Sequence, residues 1–117
     1  MKTLVVGASP NPSRYSFKAI NALLEAGYEV ELYGIKKGSI GDLEISKEFP
    51  KSGIDTVTMY VGPQNQPILY DQIVELKPRR VLFNPGTENP EFYKILENNG
   101  IAIEEACALV LLSLKEY

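Results

Sequence analysis

Apolar positions along this chain come in short blocks whose period switches between strand-like and helix-like. Leu4-Val5-Val6, inside Thr3–Gly7, is a continuous apolar run and reads as a first strand buried on both faces. From Arg14 to Ala26 the positions Phe17, Ile20, Leu23 and Leu24 share one side of a helix, with Ser13 as N-cap and Gly27 as the residue past its end. Val30–Ile35 reads as a second strand, and Thr56–Val61, rich in β-formers, as a third. Pro67–Lys77 has proline in its first turn and is stopped by Pro78, the pattern of a second helix. Arg80–Asn84 is a fourth strand. Asn89-Pro90-Glu91 then opens a helix that ends at Asn98-Asn99-Gly100. Ala102–Glu104 gives a fifth strand and Ala106–Leu114 a closing helix.

Strand–helix alternation at this spacing predicts an α/β fold: a Rossmann-like, doubly wound, parallel five-stranded sheet with helices on both faces, in a single domain over 1–117. The stretch Gly34–Asp55 shows no helical pattern; a short strand or turn is expected around Leu43–Ile45 and a helical turn near Ser46–Phe49. Ligands of open α/β sheets lie beyond the carboxyl ends of the strands. That rule selects Gly7–Ser16, Gly34–Gly38, Tyr60–Gln64 and Asn84–Asn89.

The first of these stretches carries the most chemistry. Gly7 lets a ligand or a helix backbone approach closely, Ser9 and Ser13 offer hydroxyls, and the amides of the helix start are unpaired donors. Arg14 falls in the first helical turn, where a cation disfavours the helix but suits an arriving anion. An arginine lying out in solvent beside a plain strand–helix turn fits the same residues, and the turn alone leaves both readings open. At the end of the second strand, an NAD site has an acid for the ribose hydroxyls. Here the run is Gly34-Ile35-Lys36-Lys37-Gly38, without one. Its lysines suit a ribose that carries phosphate, as in NADP or the 3′-phospho-ADP of coenzyme A; a solvated turn is the plainer alternative.

Composition narrows the classes. A chain of 117 residues, 44% hydrophobic and 23% charged, builds its own core. No apolar run approaches the roughly 18 residues of a membrane span. A strand-like segment follows Met1-Lys2 directly, so no signal peptide is read, and the expectation is a cytoplasmic protein with no membrane partner. A net charge of −3 with scattered basic residues argues against a nucleic-acid partner. With no histidine and a single cysteine, no metal site and no internal disulfide are expected. Neither Ser9 nor Cys107 has a histidine to act as its base. Glu88, Glu104 and Glu105 read as caps or solvated groups, so no catalytic residue is assigned and binding without turnover is expected.

Gly7-Ala8-Ser9, followed by Asn11-Pro12-Ser13-Arg14-Tyr15-Ser16, resembles the first loop of the small stand-alone CoA-binding proteins related to the CoA-binding domain of the succinyl-CoA synthetase alpha subunit. Glu25-Ala26-Gly27-Tyr28-Glu29-Val30 resembles that family's helix end and entry to strand two, and Cys107 matches a cysteine often seen near its C-terminus. Where the family commonly reads Pro-Val-Asn-Pro-Lys, this chain has Leu32-Tyr33-Gly34-Ile35-Lys36, keeping only the lysine. Tyr60-Val61-Gly62-Pro63 resembles the loop against which the adenine lies, and Asn84-Pro85-Gly86-Thr87-Glu88-Asn89 the loop bordering the pantetheine arm. The synthetase's phosphohistidine chemistry does not transfer, since there is no histidine.

The resemblance implies a binder of coenzyme A or an acyl-CoA through Gly7, Ala8, Ser9, Asn11, Pro12, Ser13, Arg14, Tyr15 and Ser16 in the first loop. Lys36 and Lys37 would serve in the second, Tyr60, Val61 and Gly62 in the third, and Asn84, Pro85 and Gly86 in the fourth. A small NADP-binding redox or regulatory domain is the alternative, and a scaffold for protein contacts a third reading; a protein partner or homo-oligomer stays open. Cys107, expected in the first turn of the closing helix, admits two readings. Helix-start amides favour its thiolate and hence disulfide exchange with the thiol of CoA. Its neighbours Glu104 and Glu105 oppose ionisation, and Ala106-Cys107-Ala108-Leu109 also reads as an inert apolar stretch.

Overall fold

The computed structural model describes all 117 residues. In chain order the elements are β1 (Lys2–Val6), α1 (Tyr15–Glu25), β2 (Glu29–Tyr33), β3 (Ser39–Ile40), β4 (Leu43–Ser46), β5 (Thr56–Met59), α2 (Tyr70–Leu76), β6 (Arg80–Phe83), α3 (Pro90–Asn98), β7 (Ala102–Glu105) and α4 (Ala108–Ser113). Two short 3-10 turns, Pro63–Asn65 and Pro67–Leu69, lead into α2. The strands form one sheet in the order β3-β4-β2-β1-β5-β6-β7. Every neighbouring pair is parallel except β3 with β4. From β1 the chain first builds one side of the sheet and then returns to build the other from β5. The loops leaving β1 and β5 therefore part from each other, and a crevice opens between them at the carboxyl edge.

This is the expected Rossmann-like α/β fold, with seven strands where five were expected. The difference lies in the stretch after β2. Leu43–Ser46, where a short strand or turn was expected, is a strand that pairs with β2, and the unexpected Ser39–Ile40 folds back on it through Gly41. An edge strand of two residues has too few positions to show a period in the sequence. The helical turn expected near Ser46–Phe49 does not form. Instead the Ser46 hydroxyl accepts from the Glu48 amide in a local turn, and Phe49 packs edge-on against Tyr33 at 5.0 Å.

Elsewhere local chemistry explains the elements. α1 buries Ser16, Ala19, Ile20 and Leu23, a helical stripe in which Leu24, expected inside, faces out. It stops where Gly27 takes a positive φ, with the Gly27 amide on Leu24 O and the Tyr28 amide on Leu23 O. The expected cap of α3 is present: Asn89 Oδ1 accepts from the Phe92 amide, and Pro90 fills the first turn. α2 and α3 cover one face of the sheet through a core of 13 buried residues that includes Leu4, Val6, Met59, Phe83 and Phe92. α1 packs on the other face over 8 more, and α4 lies beside α1.

That second face is polar where α4 and the tail cover it. By strand alternation Thr56, Thr58, Arg80 and Asn84 point away from the larger core. Arg80, nearly buried, donates to Thr56 Oγ1 (3.1 Å) and to Glu104 Oε1 (2.8 Å), and its guanidinium lies over the Tyr117 ring at 4.8 Å. The Tyr117 hydroxyl meets Thr3 Oγ1 at 2.9 Å. Asn84 Nδ2 donates to Thr58 Oγ1 and Met59 O (2.8 and 3.0 Å), and its Oδ1 accepts the Ala108 amide at 2.8 Å. One carboxamide thus joins β5, β6 and the start of α4.

Two outcomes follow. Replacing Asn84 by Ala leaves buried donors and acceptors unpaired, and should lower the unfolding free energy by about 1–3 kcal/mol for each group left unsatisfied. Urea titrations of the two proteins measure this. Burial also raises the pKa of the Tyr117 and Tyr60 phenols above the ordinary tyrosine value. The unfolded chain ionises both near about pH 10, while the folded chain keeps them protonated higher. Their contribution to stability is therefore intact below that pH and is lost as pH climbs through the folded-state values. Urea midpoints from pH 8 to 11.5 should fall in the upper part of this range, and less steeply in Tyr117→Phe.

Candidate functional site

The crevice at the carboxyl edge is a cleft of about 1360 Å³, walled by the loops after β1, β2, β5 and β6 and by the start of α4. Its floor is set where the first loop crosses the end of β2. The amides of Gly7 and Ala8 both donate to Tyr33 O, at 2.9 and 3.0 Å. Gly7 has φ +95°, and a Cβ there would stand 3.0 Å from Tyr60 C and from Val61 Cγ2. Gly34 lies so close to this loop that a Cβ would meet Ala8 O at 2.5 Å. No side chain fits at Gly34, so no acid can stand at that position, directly after β2.

Ser9, Asn11 and Ser13 hold the loop in shape. The Asn11 amide donates to Ser9 Oγ, and Asn11 Oδ1 accepts from both the amide and the hydroxyl of Ser13 (3.0 and 2.8 Å). Ser13 is thereby spent and is not the N-cap; Arg14 occupies that position, with extended backbone and no side-chain cap. The amides of Ser9, Tyr15 and Ser16 have no acceptor within the chain, and all three residues line the cleft. Arg14 stands beside them, exposed and without an ion pair.

The expected residues divide accordingly. Gly7, Ala8, Ser9, Arg14, Tyr15 and Ser16 line the cleft; Asn11, Pro12 and Ser13 do not. Lys36 lines it and Lys37 lies outside. Tyr60, Val61 and Gly62 are present from the third loop, and Asn84, Pro85 and Gly86 from the fourth. Both polar atoms of the Asn84 side chain are engaged in the bonds described above, so the part of that side chain is to hold the floor. Cys107 is the N-cap residue of α4, half-buried on the cleft wall rather than within the helix or the core.

Several lining residues escaped the sequence reading. Gly34, Ile35, Gln64 and Thr87 fall inside the strand-end stretches, which already pointed to them. Tyr33 lines the cleft from the last position of β2, just before the second strand-end stretch; Asn65, Pro67, Ile68, Leu69 and Leu109 had no such signal, because they reach the cleft only through the path of the 3-10 turns and α4. Ile35 and Ile68 are each 84% exposed at its rim. Gln66 is fully buried behind the wall, donating to Val61 O and Thr87 O at 2.9 and 2.8 Å. The Tyr60 hydroxyl is buried without a hydrogen-bond partner, and after burial itself the neighbouring Cys107 adds to the rise in its pKa.

No helix is long and apolar enough to cross a membrane. An uncharacterized protein of known structure is 46% identical, with a TM-score of 0.96 over 99% of this chain and 97% of its own. A conserved hypothetical protein from Pyrococcus furiosus is 29% identical, with a TM-score of 0.77 over 88% of this chain and 90% of its own. A Thermus thermophilus protein shares the fold at 23% identity and a TM-score of 0.87, over 99% and 90% of the two chains. No protein of curated function matches. The CoA-binding domain family matches residues 1–113, which takes in β1, all four loops of the cleft and α4, and the chain belongs to that family.

Proposed function

We propose that the cleft takes coenzyme A or an acyl-CoA, as a binding site to which no catalytic residue is assigned. The observation that carries this reading is the charge of the lining. The chain has 15 acidic against 12 basic residues, yet the cleft has Arg14 and Lys36 on its wall and no carboxylate at all. Such a wall favours a polyanion.

The parts of the ligand follow from the parts of the wall. Its diphosphate would lie over Gly7–Ser16, on the open amides of Ser9, Tyr15 and Ser16 at the positive end of α1 and beside Arg14. Lys36, rather than Lys37, would meet the 3′-phosphate. The adenine would cover the exposed side chains of Ile35 and Ile68, and the pantetheine arm would run over Asn84–Gly86 towards Cys107. The volume of the cleft exceeds the roughly 300–1,000 Å³ of sites for compact ligands, which suits a long, extended molecule.

Thermal-shift titration with CoA, dephospho-CoA, NADP and NAD tests the reading. CoA at about 100 Kd should add about 2.7 kcal/mol of stability. Dephospho-CoA should bind more weakly by about 1–3 kcal/mol, through loss of charge-assisted bonds to Lys36. Arg14→Glu should weaken CoA binding while leaving the unliganded melting temperature unchanged. No shift with CoA, or a larger one with NAD, would overturn the proposal.

The position of Cys107 on the wall supports thiol exchange with the bound ligand. Its thiolate would attack CoA disulfide, forming a protein–CoA disulfide and releasing one CoA thiol. Intact-protein mass spectrometry after incubation with CoA disulfide should show one CoA-sized adduct, absent in Cys107→Ser. An unmodified mass would make Cys107 a packing residue.

A further inference from the structure

We infer that Gln66 is the positioning residue of the cleft: its carboxamide fixes the third loop against the fourth and so sets the gap through which the ligand passes. This rests on the reading of the cleft as the CoA site. Gln66 is completely buried, and the large majority of buried polar side-chain atoms in folded proteins are hydrogen-bonded. Here every polar group has a partner. Its two N–H groups go to carbonyls on different loops, Val61 O at 2.9 Å and Thr87 O at 2.8 Å, and both of those residues line the cleft. A primary amide is planar and its two N–H directions are fixed, so these bonds set the separation of the two carbonyls as well as satisfying them.

The other end of the carboxamide is anchored in turn. Gln66 Oε1 accepts from Asn89 Nδ2 at 3.0 Å, and the same nitrogen donates to the Tyr70 hydroxyl at 2.8 Å. Asn89 Oδ1 caps α3, and Tyr70 donates onward to Glu91 Oε2 at 2.9 Å. Gln66 is therefore held by the starts of both α2 and α3 and cannot shift without unseating one of them. The effect also reaches the first loop, since the Val61 side chain fills the space beside Gly7 that a Cβ would need. A displaced third loop would press on the turn assigned to the diphosphate. The α2 and α3 starts position the loops, the loops position the ligand, and Gln66 is the link between them without touching the ligand.

The test compares wild type with Gln66→Met, which keeps length and volume but removes the donors and the acceptor. Asn89→Ser, which keeps a capping oxygen and releases the Asn89 Nδ2 bonds to Gln66 Oε1 and the Tyr70 hydroxyl, serves if Gln66→Met does not fold. Ile101→Ala, a core truncation at the opposite end of the sheet, is the control for general destabilisation. Two readouts are taken well below each melting temperature: CoA affinity by calorimetry, and amide hydrogen exchange without ligand. Gln66→Met should bind CoA about tenfold or more weakly, the factor expected when buried carbonyls lose their donors. Its exchange should quicken at residues 61–66 and 86–89 and stay at the wild-type rate in β1, β2 and α1. Ile101→Ala should retain wild-type affinity. Exchange unchanged in the two loops would overturn the inference whatever the ligand. So would an affinity loss no greater than that of Ile101→Ala. A wild-type protein that takes up no CoA would overturn the ligand reading, and the exchange measurement would still decide the role of Gln66 in joining the loops.

Discussion

The ligand side of this sheet depends on a single carbonyl used twice. Tyr33 O, at the end of β2, accepts from both Gly7 and Ala8, which draws the first loop sideways off β1 and across the neighbouring strand. Those two amides are consumed, so the donors left for an anion are those further along, at Ser9 and at the start of α1. The same crossing forbids a side chain at Gly34 and brings Pro10 within 2.9 Å of where a Cβ on Gly38 would be. The first two loops thus form one surface. That surface presents main-chain donors and two long cations, Arg14 and Lys36, and no carboxylate.

A second pattern runs through the structure: side-chain amides stand where parallel strands end. Asn84 joins β5, β6 and α4, while Asn89 caps α3 and reaches Gln66. At the carboxyl end of a parallel sheet the ladder stops and leaves carbonyls and amides that water cannot always reach. A carboxamide presents both donors and an acceptor, and so closes such an end in one residue. These groups give the loops a fixed shape before any ligand arrives, which lowers the ordering cost of binding.

Much of this was legible in the sequence because it is local. The strand–glycine turn at Gly7, the Asn89-Pro90 start of α3, the Gly27 stop of α1 and the stop at Lys77-Pro78 each depend on a few adjacent residues. What was not legible depends on contacts between distant ones. Ser13 has the composition of an N-cap, but the Asn11 side chain competes for it and wins. A short strand was expected around Leu43–Ile45, but its pairing with the edge of β2 and the return of Ser39–Ile40 onto it depend on a neighbour that no window of residues 39–46 records. Gln66 looks like one more polar residue in a loop; only the approach of the fourth loop, more than 20 residues later in sequence, buries it. Cys107 was expected in the first turn of α4 and stands just before it as the N-cap residue, half-buried on the cleft wall.

The central place of β1 carries a consequence for how the chain comes into being. β2 pairs with one edge of β1 after a single intervening helix, but the other edge waits for Thr56–Met59. In vectorial synthesis the nascent chain therefore passes through a stage in which Leu4 and Val6 have no covering helices and one rim of β1 is bare, a template for unwanted pairing. The hairpin of β3 and β4 offers no shield there, since it lies beyond β2 on the far side. Parallel pairing across so long a loop is intrinsically slow. For this protein the vulnerable interval is thus written into strand order, and it closes only when β5 has paired with β1 and α2 and α3 have covered Leu4 and Val6.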